Sequence, residues 1–427
     1  MQLIYALASY LAFLLLWPFL LVHHKTRPGQ LRRLGFHPRP RPRPAPGRGP
    51  RIWLHGSSAG DLLALKPMVS ELKRRFPGCV VVLSAFTNSG YEIASRRIPE
   101  ADEVTWVPWD LPGAAARALE AIDPDLLVLE YTEIWPNLIH AAKRRGVKVA
   151  ITNGRFSPAR LRAYRRFFRL AGDPLAKIDL FLMREEDEAE RVLALGAARD
   201  RVWVTGNTKF DGLVGAADPA DERSLRAALG EGPFLIAGST HEGEEALLLP
   251  VFRRLRQAHP GLRLVIAPRY VERAPRLLAL AQDAGFGAGL RSEGATGADV
   301  VIVDTIGELA AAYRLATLVF VGGSFTNRGG QNILEPAGQG KPVLFGPNMD
   351  NFRDSVEVLV GRGGIQVRDP EHLFRVANDL LARPEKIAEL GELARAAVGR
   401  IRGASARNVE HMARVLEASS LAAAEPA

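Results

Sequence analysis

Short apolar runs rich in β-branched residues recur along this chain and alternate with segments of helical character. Such runs are typical of buried parallel strands, because a strand covered on both faces has no solvent side to alternate toward. In the first half they occupy residues 52–55, 80–85, 126–130, 147–153, 180–183 and 202–206. Helix-like segments lie between them, at 60–74, 112–121, 136–145 and 185–195. This alternation predicts a doubly wound α/β sheet.

The alternation stops at residues 211–222, which are rich in Gly, Ala, Asp and Pro, and then begins again. New apolar runs occupy residues 234–240, 262–269, 300–305, 318–324 and 341–346. A length of 427 residues suits two domains of roughly 150–200 residues each. We therefore predict two Rossmann-like domains, at 51–214 and 222–427, facing a cleft. Ligands of such sheets bind beyond the carboxyl ends of the strands.

The N terminus predicts a membrane anchor over residues 1–24. Residues 3–22 carry no charge, and twenty helical residues span about 30 Å, the thickness of a bilayer core. His23, His24, Lys25 and Arg27 follow, so the positive-inside rule places the rest of the chain in the cytoplasm. A cleaved signal peptide would have a basic start and a shorter apolar run. Because Pro18 interrupts the segment, a helix lying in the membrane plane is a further possibility.

Residues 25–50 are expected to form a basic, Pro-rich linker along the membrane surface. The first 60 residues hold nine Lys/Arg and no acid, whereas the rest of the chain carries equal numbers of both. Attraction to anionic lipid headgroups explains basic residues beside an apolar segment. Nucleic-acid binding would require a basic folded face, so no nucleic-acid partner is expected. The single cysteine, Cys79, excludes an intramolecular disulfide and fits a reducing compartment.

Several polar residues follow predicted strands of the first half and could serve transfer chemistry. Asp61 comes after a Gly-Ser-Ser-Ala-Gly turn, where it could act as a base or merely begin a helix. Glu130 and Glu133 close the strand before Pro136, again as cleft carboxylates or as helix-start residues. Lys209 follows the last strand and could meet a donor phosphate or stay a solvated surface lysine.

The second half offers candidates for holding a nucleotide. Arg269 ends a strand, where its guanidinium suits a phosphate or an interdomain salt bridge. The Gly-rich segment 321–342 would let a ligand approach the backbone, and a helix is predicted to begin near Gln331. Glu335 on that helix could accept hydrogen bonds from a ribose diol. An ordinary Gly-rich loop is the alternative interpretation of this stretch.

Taken together, these segments resemble the Kdo transferases. Those enzymes move 3-deoxy-D-manno-octulosonic acid (Kdo) from CMP-Kdo to the lipid A precursor of Gram-negative bacteria. The resemblance covers nearly the whole chain in the same order. Beside the anchor, it is carried by WLHGSSAGD (53–61), VPWDLP (107–112), TEIWPNLI (132–139), NGRFS (153–157), VTGNTKFD (204–211), GSTHEGEE (238–245), APR (267–269), DTIGEL (304–309), and GGSF with GGQNILEPA (322–337).

The resemblance implies a GT-B fold and an inverting transfer of Kdo to lipid IVA in lipopolysaccharide biosynthesis. It implies no metal or other cofactor, and it places the catalytic domains at the cytoplasmic side of the inner membrane. Oligomeric state is not predicted. A paralogue that uses another sugar or acceptor, and a membrane-tethered nucleotide-binding protein without turnover, are the alternatives.

Matched motif by motif, the family's base falls on Asp61, and its two transition-state residues fall on Glu133 and Lys209. Its CMP contacts fall on Pro268, Arg269, Ile306, Gly307, Glu308, Asn332, Ile333, Leu334 and Glu335. This chain departs from the family pattern at three positions. The base is Asp61 rather than glutamate, Tyr131 replaces a carboxylate, and Gln331 replaces a histidine. A base one methylene shorter moves the carboxylate by about 1 Å, which could lower the rate.

Overall fold

The computed structural model describes residues 1–23, 26–37, 49–212 and 219–424. Residues 25 and 38–48 of the predicted Pro-rich linker and residues 213–218 of the predicted break lie outside these residues. The described chain forms two compact units. Unit 1 comprises Met1–Gly212 and Arg402–Ala427, and unit 2 comprises Leu213–Ile401.

Unit 1 is built on a seven-stranded, all-parallel sheet with the order β3-β2-β1-β4-β5-β6-β7. Alternate residues of one strand enter cores on opposite faces: Leu127 and Leu129 enter one, Leu126 and Val128 the other. Burial on both faces is why the strands are continuous apolar runs. The strands are β1 (Arg51–Gly56), β2 (Val80–Ala85), β3 (Glu103–Trp106), β4 (Leu126–Glu130), β5 (Lys148–Gly154), β6 (Leu180–Met183) and β7 (Val202–Val204).

The four helices predicted between these strands form, with ends within one residue of the sequence pattern, whereas the helices at 88–97 and 161–170 were not predicted. Basic residues close several of them, as Lys73, Arg74 and Arg75 do on α3, where they complement the helix dipole. The helices are α1 (Gln2–Val22), α2 (Gln30–Arg33), α3 (Ala59–Arg75), α4 (Asn88–Arg97), α5 (Pro112–Ile122), α6 (Pro136–Arg144), α7 (Leu161–Leu170) and α8 (Glu186–Ala194).

Unit 2 repeats the design with a second all-parallel sheet, in the order β10-β11-β9-β8-β12-β13-β14. Its strands are β8 (Phe234–Thr240), β9 (Arg263–Pro268), β10 (Ala288–Leu290), β11 (Val300–Ile302), β12 (Leu318–Val321), β13 (Val343–Phe345) and β14 (Gly364–Gln366). Its helices are α9 (Pro219–Leu229), α10 (Glu244–Ala258), α11 (Ala274–Asp283), α12 (Leu309–Leu315), α13 (Leu334–Gly338), α14 (Arg353–Leu359), α15 (Pro370–Leu381) and α16 (Pro384–Ile401).

The C-terminal helix α17 (Ala404–Ala424) belongs to unit 1. Its Val409 and Met412 enter the core that α3 and β1 also form. Asp211 fixes its start, because the Asp211 carboxylate accepts hydrogen bonds from Gly403 N (2.6 Å) and Ser405 N (2.7 Å). The predicted domain boundary of 222–427 is therefore wrong at its C-terminal end, since helical pattern alone does not say which sheet a helix covers.

The predicted anchor is one continuous helix, α1, which runs through Pro18 without a break. It is long and apolar enough to cross a membrane, with mean hydropathy 2.0 and no buried residue. One side nevertheless contacts unit 1. The Tyr5 hydroxyl donates to Asp110 Oδ2 at 2.9 Å, and Asn137 Nδ2 donates to Ser9 Oγ at 3.2 Å.

Part of the predicted linker is folded against unit 1 rather than extended. Residues Gln30–Arg33 form α2, and Arg33 is completely buried. Its guanidinium lies 5.4 Å from the Phe86 ring and 5.2 Å from the Trp109 ring, and Nη2 donates to Phe86 O at 2.6 Å. Burial lowers the pKa of Arg33 to about 10. Arg33 is therefore not available for the lipid headgroups that the sequence assigned to it.

Candidate active site

The winding of the unit 1 sheet reverses at β1, which lies between β2 and β4. A crevice opens at such a switch point, beyond the carboxyl ends of the two central strands. Asp61 lies in the first turn of the helix that follows β1, and Glu133 lies in the loop after β4, so both predicted catalytic carboxylates are at this point. The topology therefore brings together two residues that are 72 positions apart in the sequence.

Asp61 is the third residue of α3 and forms a capping box with Ser58. Its Oδ2 accepts from Ser58 N at 2.7 Å, and its own N–H donates to Ser58 Oγ at 3.5 Å. Asp61 therefore does cap the start of a helix, as the helix-start interpretation predicted. Its side chain is half-buried, and its Oδ1 accepts no hydrogen bond among the described residues, so one oxygen stays available.

Glu133 is held by the residues that precede Asp61. Its Oε2 lies 3.5 Å from His55 Nε2 and accepts from Trp135 Nε1 at 3.0 Å. Burial alone would raise the pKa of Glu133, but His55, Trp135 and Ser57 together outweigh burial and lower it. Glu133 is therefore an anion anchored beside the Asp61 turn.

His55, at the end of β1, is completely buried beneath this pair. Its Nδ1 lies 3.0 Å from Ser84 O, an acceptor that cannot donate, so Nδ1 carries a proton. Nε2 then faces Glu133 Oε2, at 3.5 Å. The sequence assigned His55 no role; its place at a strand end, inside a matched motif, was the available signal.

Glu130, the last residue of β4, is completely buried. Its Oε1 accepts from Asn153 Nδ2 at 2.5 Å, and its Oε2 has no hydrogen-bond partner among the described residues. Burial raises the pKa of Glu130 well above its ordinary value. The next residue, Tyr131, has φ of +55°, a strained value for an aromatic residue and common at functional sites.

Lys209 lies in a 3-10 turn at Thr208–Phe210 that packs against α3, the helix that Asp61 begins. Asn207 Oδ1 accepts from Lys209 N at 3.0 Å, and Phe210 is buried. The Lys209 side chain is exposed, and its ammonium forms no ion pair within the described part of the chain. A fixed backbone and an exposed ammonium suit a group that binds an anion.

In unit 2 the first two predicted nucleotide contacts lie at the end of β9. Pro268 is buried, and Arg269 is exposed with its backbone N–H bonded to Thr240 O at 3.0 Å. The Arg269 guanidinium lies 5.7 Å from the Tyr270 ring and forms no ion pair among the residues described. This leaves the guanidinium available for a phosphate.

The segment Ile306–Glu308 lies between β11 and α12 and offers a ligand surface of mixed character. Ile306 is 86% exposed, which is unusual for a large apolar side chain. Gly307 has φ of +98°, which favours glycine. Glu308 is occupied, because it pairs with Arg291 Nη2 at 2.8 Å and accepts from Thr305 Oγ1. Its carboxylate therefore shapes the loop, while Ile306 faces outward.

The Gly-rich loop after β12 is already filled by a side chain of the protein. The carboxylate of Glu244, completely buried, accepts from four backbone N–H groups, those of His241, Gly323, Ser324 and Phe325, at 2.7–3.0 Å. A Cβ on Gly322 would lie 2.6 Å from Thr240 Cα. The expectation that ligand approach explains these glycines is therefore wrong for this part of the loop.

The helix predicted near Gln331 begins later, at Leu334, and has five residues. Asn332 Oδ1 accepts from Leu334 N at 3.0 Å, while Ile333 and Leu334 are buried. Glu335 is half-buried, and its carboxylate has no hydrogen-bond partner among the described residues. Burial raises the pKa of Glu335. An unpartnered carboxyl group at the edge of the core is suited to accept hydrogen bonds from ligand hydroxyls.

Gln331, the residue found where the family has a histidine, contacts another imidazole. Its Nε2 lies 3.1 Å from Nε2 of His241, which is buried and follows β8. Among the described residues, no group of three or more His, Cys, Asp or Glu is arranged to hold a metal ion.

Comparisons with known proteins agree with the motif matches. The family model described as 3-deoxy-D-manno-octulosonic-acid transferase (kdotransferase) matches residues 29–212. A 3-deoxy-D-manno-octulosonic acid transferase of Chlamydophila psittaci is 34% identical over 348 residues, which is 80% of each chain. One of Bordetella pertussis is 32% identical over 372 residues, covering 84% of this chain and 86% of that protein.

Among solved structures, the UDP-GlcNAc 2-epimerase of Neisseria meningitidis bound to UDP-GlcNAc superposes with a TM-score of 0.54. It is 15% identical and covers 85% of this chain and 100% of its own. At that identity the likeness concerns the fold alone. It confirms the predicted GT-B class of two Rossmann-like α/β domains.

Proposed function

The chain belongs to the Kdo transferase family, and from that membership we propose that it transfers Kdo from CMP-Kdo to lipid IVA in lipopolysaccharide biosynthesis. It is a glycosyltransferase by family, with relatives aligned across both units. The observation that carries the proposal lies in unit 1. There, the turn with the exposed Lys209 ammonium packs against the helix whose first turn holds the Asp61 carboxylate.

The proposed reaction is a single displacement with inversion at the anomeric carbon. The free oxygen of Asp61 takes the proton from the acceptor hydroxyl while the hydroxyl oxygen attacks. The bond from the anomeric carbon to the CMP phosphate breaks, and its electron pair stays on the phosphate. Lys209 neutralises the charge that develops there, and the Glu133–His55 pair stabilises the adjoining turn.

The donor half of the proposal assigns the nucleotide to unit 2. Arg269 is suited to the phosphate because its guanidinium is exposed and unpaired among the described residues. Glu335 would accept from the ribose hydroxyls, and the exposed Ile306 side chain would cover the base. With cationic side chains in both units, we expect the reaction to need no metal ion.

We further propose that α1 holds the catalytic units at the cytoplasmic face of the inner membrane. Its hydrogen bonds from Tyr5 and to Ser9 favour a helix lying along unit 1, with its outer face in the lipid. The neighbouring helix α7 supports this arrangement. Arg162, Arg166 and Arg169 of α7 form no ion pair among the described residues, while Phe167 and Leu170 are exposed.

The test is incubation of the purified full chain with CMP-Kdo and lipid IVA, followed by mass spectrometry of the lipid. Addition of Kdo is the expected result, with equal rates in EDTA and in added Mg²⁺. Transfer from another CMP-sugar, or to another acceptor only, would assign the chain to a paralogous activity. Binding of CMP without transfer to any acceptor would overturn the enzymatic proposal.

A further inference from the structure

A buried chain of side-chain hydrogen bonds runs from the end of β4 to the turn that carries Lys209. Asn153 Nδ2 donates to Glu130 Oε1 and to Thr208 Oγ1, each at 2.5 Å. Asn153 Oδ1 accepts in return from Thr208 N at 2.9 Å. Glu130, Asn153 and Thr208 are each 0% exposed. Three separate segments of unit 1 are thus joined by one amide.

We propose that Glu130 is a positioning residue for the transfer reaction, which fixes Asn153 and through it the turn that presents Lys209 to the departing phosphate. This inference rests on the function proposed above and adds a residue that does not touch substrate. Lys209 directly follows Thr208, so a shift of Thr208 moves the Lys209 backbone with it. A displacement of about 1 Å at a reacting group can cost about 100-fold in rate.

The Asn153 amide needs an acceptor at the place where Glu130 supplies one. Its two Nδ2 hydrogens are divided between Glu130 and Thr208, so removal of the Glu130 oxygen leaves one buried N–H without a partner. Asn153 itself has φ of +51°, a conformation that surrounding contacts must hold. With the acceptor lost, the amide is expected to rotate and release Thr208 from its two bonds.

The surroundings of Glu130 favour the protonated acid. Its Oε2 is buried and accepts no hydrogen bond among the described residues, so an ionised carboxylate would lack solvation. The charged groups that face it are Asp61 and Glu133, which oppose ionisation, and Arg184, which favours it. A neutral acid retains the carbonyl oxygen that Asn153 requires. The Glu130→Gln variant keeps such an oxygen, whereas Glu130→Met, of similar length, has none.

The test is a double-mutant cycle on the full chain, with kcat and KM measured for Kdo transfer. Lys209→Ala is expected to lower kcat about 100-fold. E130M should lower kcat about 10- to 100-fold, with KM for CMP-Kdo within about threefold, whereas E130Q should stay within about threefold of the parent. In the Lys209→Ala background, E130M should cost less than about a further twofold. If the two losses multiply instead, Glu130 does not act through Lys209 and the inference is overturned.

Two readouts independent of activity separate this inference from the proposed function. E130M should speed amide hydrogen exchange at Thr208 and change the rate at which acetic anhydride labels Lys209, and E130Q should do neither. Unchanged exchange and labelling overturn the inference even if Kdo is transferred. Changed values in a chain that transfers no Kdo overturn the proposed function alone. If E130M does not fold, Thr208→Val replaces it in the same cycle, with the same criteria. This variant removes the other acceptor of Asn153 Nδ2.

Discussion

The substitution Asp61→Asn separates the two roles that the structure gives to this carboxylate, helix cap and base. The side-chain oxygen of the introduced asparagine can still accept from Ser58 N, so only the charged character of the 2.7 Å bond and its interaction with the helix dipole are lost. We expect this to cost about 1–2 kcal/mol of unfolding free energy. The loss of a general base should lower kcat by about 100- to 10,000-fold, equivalent to about 3–5 kcal/mol of transition-state stabilisation.

The loss of stability and the fall in kcat can be separated, because the expected loss of stability is too small to unfold the protein. A domain with about 5–15 kcal/mol of stability stays more than about 99% folded after losing about 2 kcal/mol. Loss of fold therefore cannot account for a fall in kcat of about 100-fold. A matched control is Thr87→Ala, which removes the N-cap of the neighbouring helix α4, where Thr87 Oγ1 accepts from Gly90 N at 3.2 Å. It should cost about 1 kcal/mol and leave kcat unchanged.

The assay is the initial rate of Kdo transfer to lipid IVA, with thermal unfolding of the same preparations followed by circular dichroism. If Asp61→Asn keeps kcat within about tenfold of the parent while its unfolding temperature falls like that of Thr87→Ala, Asp61 is only a cap. The base would then have to be another group, and the mechanism proposed above would be wrong.

Three further predictions concern other carboxyl groups. Glu335→Gln should raise KM for CMP-Kdo about tenfold with kcat within about threefold, because hydrogen bonds to a charged acceptor are lost. Asp110→Ala should lower the unfolding temperature by about 5–10 °C, since it leaves Asn137 N and Leu138 N without their acceptor and frees the Tyr5 hydroxyl. Glu130→Gln should become more stabilising, relative to the parent, as pH rises from about 5 to about 8. Its folded pKa lies above the unfolded value of about 4.3, so the native carboxyl loses stability with rising pH in that window.

Exposed carboxylates in the same unit provide the controls for the first two substitutions. Glu357→Gln removes an exposed carboxylate of α14 and should leave KM for CMP-Kdo unchanged. If Glu335→Gln also leaves KM unchanged, Glu335 does not bind the donor. Asp200→Ala, at an exposed carboxylate, should not change the unfolding temperature. A difference between Glu130→Gln and the parent that is constant across this pH range would show that Glu130 is ionised in the folded chain.

The interior of both sheets could be predicted because burial acts on short, contiguous stretches of sequence. Each apolar run that we assigned to a strand forms one. Three strands were missed, β3, β10 and β14, and all three lie at sheet edges. An edge strand is partly solvated and has no need of a continuous apolar run, so its three or four residues resemble a loop. Only pairing with a neighbouring strand identifies them.

The sequence predicted which residues form the candidate site, but it did not predict which groups those residues contact. Motif matches named Asp61, Glu133 and Lys209, and the topology places the first two at one switch point. They did not predict that Glu244 would fill the Gly-rich loop, because that requires a carboxylate to meet amides some 80 residues away. The start of the helix predicted near Gln331 was wrong for a related reason, because glycine spacing does not indicate where helical hydrogen bonds begin.

What the sequence by itself determined was the pair of α/β sheets, the apolar N-terminal helix and the family, because each depends on local pattern or on matched motifs. Tertiary structure alone decided that α17 packs on unit 1, that Arg33 is buried between two aromatic rings, and that Glu130 holds Asn153. Those outcomes depend on which distant groups satisfy a buried hydrogen bond or charge, and no local pattern encodes the partner.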